Sequence, residues 1–174
     1  GTETRLEGEV NCKQGDKIAM FFPLKYNYTG TSHSHVLVSM QSSEISENGN
    51  IVAKKQNGTL ENLRYFDYSY GTSIAQVEGR VATASTTLLK QYAILHLDFT
   101  HNGTAVQNIS KLVLDNVTEE AEFDLKDGTL KNRENGRIVI EPSAPRSEFD
   151  VAVFPDNNFS PTFTIETTDG KSYS

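Results

Sequence analysis

His96 and Asp98 stand two residues apart in QYAILHLDF, residues 91 to 99, and in an extended chain that spacing puts both side chains on one face. An imidazole beside a carboxylate is half of a hydrolase triad, in which the acid orients the ring and the ring takes a proton from a serine. The G-x-S-x-G elbow that would present such a serine is absent. A second pair, His33 and His35 in TSHSHVLV, would share a strand face and could give two imidazoles to a metal, but no third or fourth ligand stands in pattern with them. With four histidines and one cysteine in the chain, both pairs read as solvated strand positions, and no catalytic residue, cofactor or metal is expected.

The remaining polar motifs carry less chemistry. The acids of TEEAEFDL and SEFD fall on wet strand faces, where solubility accounts for them. DNNFS and DNVTEE offer oxygen donors without the spacing of a calcium loop. Asn27, Asn57, Asn102, Asn108, Asn116 and Asn158 each begin N-x-S/T, a frequency that a chain rich in Asn, Ser and Thr produces by composition. Cys12 has no partner for an internal disulfide and reads as a small hydrophobe.

The aromatic run RYFDYSY offers a different chemistry. Read as a strand, it places Phe66, Tyr68 and Tyr70 on one face and Tyr65, Asp67 and Ser69 on the other. Three rings at alternate positions make either a face of the core or a platform that stacks on sugar rings. The core use predicts that all three are mostly buried. The chain has no tryptophan, the usual platform ring.

These residues must be positioned by strands. Of 174 residues, 36% are hydrophobic, and the balance is made up by Thr, Ser, Asn and Gly rather than by charge. Short alternating runs recur: KIAMFFP, HVLVSM, NLRYFDYSY, LLKQYAILHLDF, ISKLVLDNV, AEFDL, GRIVIEP, EFDVAVFP and TFTIET. Between them ENGN, QNGT, HNGT, KDGT, ENGR and TDGK supply Asn-Gly and Asp-Gly steps, which accept the positive φ angles of hairpin turns. No stretch keeps apolar residues at helical spacing over three turns. The pattern predicts an all-β, antiparallel two-sheet sandwich with little helix, built as one domain over 1–174.

Sixteen basic against 23 acidic residues give a net charge of −7, and no basic cluster exists to follow a phosphate backbone, so nucleic acid is not an expected partner. No apolar run approaches the roughly 18 residues of a membrane span.

Four stretches taken in order resemble the fimbrillin-like family, the surface pilus and adhesin subunits of the Bacteroides and Porphyromonas group. GDKIAMFFP is similar to the family's early Gly-Asp-x-Ile strand, and LLKQYAILHLDF to its central Ala-containing strand. ISKLVLDNV resembles the following hairpin partner, and EFDVAVFPDNNFSPTFTIETTDGKSY the late strand pair with its proline turn. The resemblance spans most of residues 15 to 173. It implies a β-sandwich of transthyretin-like or Greek-key type, a lipoprotein precursor exported to the outer membrane or fimbrium, and assembly with other pilus subunits or a host ligand by donation of a β-strand. On this reading the chain is one domain, possible as the N-terminal domain of a longer exported protein. Cys12 lies in EVNCKQGD, which is no lipid-attachment motif.

Two further expectations attach to this reading. Leu6 and Val10, with Gly8 between them, are spaced for one face of an N-terminal edge strand, and Arg5 just before them is a candidate site of proteolytic processing. The alternative function is a carbohydrate-binding sandwich of a bacterial surface protein, with Phe66, Tyr68 and Tyr70 as the stacking residues.

Overall fold

A computed structural model describes residues 5, 7–23 and 34–174. In chain order the strands are β1 (Lys17–Phe22), β2 (Val36–Ser39), β3 (Ser42–Glu47), β4 (Asn50–Lys55), β5 (Ser69–Ile74), β6 (Gln76–Glu78), β7 (Val81–Thr83) and β8 (Leu89–Lys90). They continue as β9 (Ala93–Asp98), β10 (Thr100–His101), β11 (Thr104–Ala105), β12 (Ile109–Asp124), β13 (Thr129–Ile140), β14 (Glu148–Val153), β15 (Thr162–Thr167) and β16 (Ser172–Tyr173). Among the described residues a single 3-10 helix, Leu60–Phe66, interrupts them. Every strand pairing is antiparallel, and the fold is an all-β sandwich-like one.

The larger sheet runs β13-β12-β15-β16, with β2 joined to the far half of β12. Against it lie β1-β5-β8 and the pair β14-β9. The contact between layers is aromatic. Phe123 of β12 meets Phe21 of β1 at 4.8 Å between ring centroids and Tyr70 of β5 at 5.2 Å. Leu112, Leu114, Ile138, Ile140, Phe149 and Val151 are all fully buried between the layers. Each sits two residues from another in its strand, so one face of the strand packs while the other stays wetter.

The turn residues mostly do what their types predict. ENGN closes the β3–β4 hairpin with Asn48 and Gly49 at φ 52° and 80°. HNGT closes β10–β11 with Asn102 and Gly103 at 50° and 77°. Positive φ at both central residues suits the twist of a two-residue hairpin loop. Two of the expected turns serve otherwise. Asn135 and Gly136 of ENGR lie inside β13, where a side chain on Gly136 would run into Glu119 across the pair. The glycine there permits close approach of two strands and does not reverse the chain. Gly58 of QNGT, at φ 79°, lies against the Phe149 ring and leads into the 3-10 helix.

The expected strand over NLRYFDYSY is a helix followed by a strand. Thr59 caps the helix, its hydroxyl accepting from the Asn62 amide at 3.3 Å. Leu63 and Phe66, three residues apart, fall on one side of a 3-10 turn and are buried at 2% and 0% exposure. ISKLVLDNV and AEFDL, read as separate strands, are two halves of β12. Asn116, at φ 60°, absorbs a shift of register between Asp115 and Val117, so the DNV break is a bulge within a continuous strand. The hairpin β3–β4 carries too few apolar residues to stand out as strands, although Ser43 is fully buried.

One buried polar side chain ties three segments together. Gln56 donates through Nε2 to the carbonyls of Met40 (2.8 Å) and Ala152 (2.9 Å), and its Oε1 accepts from the Ala152 amide at 2.8 Å. It thus pairs with the backbone of β14 on the side where, among the described residues, no further strand does.

Candidate functional site

β14 and β9 run antiparallel with Glu148 opposite Asp98, Asp150 opposite His96 and Ala152 opposite Ile94. The Phe99 amide donates to the Ser147 carbonyl at 3.0 Å, which sets the phase of the ladder. Leu97 and Leu95 therefore turn their backbone groups toward β14, and Ile94, His96 and Asp98 turn theirs outward. The outward-turned residues belong to pairs whose α-carbons approach most closely, so their side chains meet those of β14 across the sheet face.

His96 lies at that meeting point. Its Nδ1 is 2.9 Å from Oδ1 of Asp150, and its Nε2 is 3.6 Å from Oδ1 of Asp98. The hydrogen bond to Asp150 and the charge of Asp98 raise the imidazole above its ordinary pKa. Both ring nitrogens thus face carboxylates and neither is aimed at a hydroxyl, which is not the arrangement of a triad base. The outward placement expected of His96 and Asp98 is what the strand provides, with their side chains 59% and 60% exposed. The SEFD segment by itself marks Glu148 and Asp150 as ordinary wet-face acids. Their approach to His96 depends on which strand pairs with β9, which periodicity within one segment does not reveal.

Among the described residues no strand pairs with the outer edge of β9. That edge is mixed: Ile94 is 44% exposed, Leu95 and Leu97 are half-buried at the margin of the core, and His96 and Asp98 are exposed beside them. β13 makes the contrast. It too ends its sheet, but its exposed length carries Lys131, Arg133, Glu134 and Arg137, and Asn132 departs from strand geometry at φ 46°. An irregular backbone and lysines guard an edge against pairing, and β9, although it carries His96 and Asp98, is a regular run with no proline, lysine or register shift.

The other expected sites fall as follows. Phe66 ends the 3-10 helix, Tyr68 lies in the connection after it and Tyr70 is in β5, so the three rings do not share a strand face. Phe66 and Tyr68 are nonetheless wholly buried, and Tyr70 packs partly buried on the core with its hydroxyl donating to the Leu125 carbonyl at 2.8 Å. Burial was the expected outcome, and it leaves neither Phe66 nor Tyr68 a face for a sugar ring. Arg5 is exposed, paired with Glu7 at 2.9 Å, and borders an open groove with Cys12 and Arg80. The described part of the expected edge strand, Arg5 and residues 7–10, belongs to no strand, and Leu6 lies outside the described residues. Glu7 and Glu9 are exposed and Val10 is 62% exposed, so none of the segment's described residues packs an apolar side chain against a sheet. His33 also lies outside the described residues, whereas His35 pairs with Glu122 at 2.9 Å and helps to hold that carboxylate below its usual pKa.

No protein-family model matches the chain, no curated protein matches it in sequence, and no solved structure matches it. No helix among the described residues is long and apolar enough to cross a membrane.

Proposed function

We propose that the chain is a structural subunit of a bacterial cell-surface assembly, a fimbrial or adhesin subunit, and that it works by taking an extended segment of a neighbouring subunit along β9. The observation that carries this reading is the unpaired edge of β9 with its half-covered leucines. Ile94, His96 and Asp98 turn their backbone groups away from β14, and Leu95 and Leu97 are only half covered. A partner strand would supply hydrogen bonds to the first set and apolar side chains over the second. The sequence resemblance to fimbrillin-like subunits supports the same mode of association, an exported location and a precursor anchored by lipid. Carbohydrate binding, the alternative, loses the platform it was drawn from, since Phe66 and Tyr68 are buried.

Substituting Ile94→Lys tests this. The residue is exposed, so the fold should lose less than about 0.5 kcal/mol. Sedimentation velocity over rising concentration should show wild-type chains associating and Ile94→Lys chains remaining monomeric. Equal association of the two, or monomers throughout in the wild type, would remove β9 as the acceptor edge.

A further inference from the structure

On the solvent face of the β9–β14 pair, four side chains from two strands converge with no lysine or arginine among them. The imidazole of His96 and the carboxylates of Asp98 and Glu148 each offer one ligand atom, and these atoms lie within 4.8 Å of one another. Among the described residues no lysine or arginine forms an ion pair with Asp98, Glu148 or Asp150. We propose that His96 Nε2, Asp98 and Glu148 bind one divalent transition-metal ion, with Asp150 as the positioning residue for the imidazole.

Three features separate this group from acids gathered by solubility. First, the ligand types are mixed. Carboxylates alone suit hard cations, and an imidazole among them favours zinc and its neighbours. Second, the ring is oriented. Asp150 takes the Nδ1 side at 2.9 Å, which leaves Nε2 directed toward Asp98 at 3.6 Å. A metal-bound histidine characteristically gives its other ring N–H to a carboxylate, which fixes its tautomer and raises its basicity. Third, the spacing fits. Ligands about 2.1 Å from a tetrahedral zinc stand about 3.4 Å from each other, close to the His96–Asp98 separation. Glu148 is exposed, and its ligand atom lies within 4.8 Å of the other two.

Three protein ligands leave a fourth position open. It faces solvent on the same strand whose edge is unpaired, so a carboxylate or imidazole of a neighbouring molecule could complete the shell. The metal site itself does not depend on strand addition, because all of its ligands belong to this chain.

The test uses zinc chloride as the probe with the whole chain, by isothermal titration, and follows the fold by circular dichroism and denaturation midpoint. Wild type should bind one zinc per chain at this site. His96→Ala should lower the affinity at least tenfold, and Asp150→Ala, which touches no metal, by about 10-fold to 100-fold. His35→Ala and His101→Ala should leave it unchanged, and all four variants should keep the wild-type fold. In a proton–nitrogen spectrum of the imidazoles, zinc should shift Nε2 of His96, and in Asp150→Ala that signal should appear in a mixture of tautomers before metal is added. Absence of zinc binding, equal affinity in wild type and His96→Ala, or loss of binding in His35→Ala alone would each overturn the assignment.

Discussion

Replacing Tyr68 by alanine is expected to cost about 3–5 kcal/mol of folding stability, the range for removing a large aromatic side chain from a packed core. The ring is fully buried and stacks at 6.0 Å on Phe21 and at 5.7 Å on Phe154, so it joins β1 to the chain that leaves β14. Its hydroxyl adds a second bond between layers. It donates to the Ser39 carbonyl at 3.0 Å and accepts from the Ser39 amide at 3.2 Å, at the end of β2. Tyr68→Phe separates the two parts: the ring stays, the Ser39 groups lose a partner, and the expected cost falls to about 1–3 kcal/mol. Urea denaturation of the three proteins decides the matter. A cost below about 1 kcal/mol for Tyr68→Ala would mean that the ring is not a core residue, and the sugar-stacking role would return as a live reading.

Gln56→Leu is the second large effect, expected to destabilise by about 3 kcal/mol or more, although it exchanges a polar core side chain for an apolar one of similar size. The reason is what it leaves behind. The carbonyls of Met40 and Ala152 and the amide of Ala152 lose their shared partner inside the protein, at about 1–3 kcal/mol for each group left unsatisfied, less any relaxation that lets them pair elsewhere. Gln56→Glu is a sharper probe. An ionised carboxylate keeps the acceptor for the Ala152 amide but turns an oxygen toward two carbonyls, so at neutral pH it should destabilise more than the leucine does. Thermal melts at neutral pH that place Gln56→Leu within a degree of wild type would show that the glutamine is not the tie between β14 and the segment after β4.

What could be read from the residues was the local alternation. Leu95 and Leu97 inward with His96 and Asp98 outward follows from a period of two, and the β9 strand has that arrangement. The hairpin turns at Asn48-Gly49 and Asn102-Gly103 follow from the residues that tolerate positive φ. What failed were places where another contact outweighed the local preference. Asn135-Gly136 has the composition of a turn, yet β12 runs alongside it with Glu119 crossing the glycine, and the strand continues. NLRYFDYSY alternates like a strand, but Thr59 caps a 3-10 turn, and Leu63 and Phe66, which a strand would place on opposite faces, are buried together on one side of it. The burial of Tyr68 was therefore legible and its setting was not. The cluster of His96 with Asp150 and Glu148 was half legible for a similar reason. Two of its members are neighbours in sequence on β9, and the others reach them only through the pairing with β14, which no single segment encodes.

The claim that this chain acts through the free edge of β9 is tested most directly by amide hydrogen exchange, read residue by residue, in the associated and monomeric protein. The amides of Ile94, His96 and Asp98 point away from β14 and are expected to exchange fast in the monomer, whereas those of Leu95 and Leu97 are already bonded to β14 and exchange slowly. On association the three outward amides should become as protected as their two neighbours, and the exposed length of β13 should not change. Association that leaves Ile94, His96 and Asp98 exchanging at their monomer rates would contradict the account.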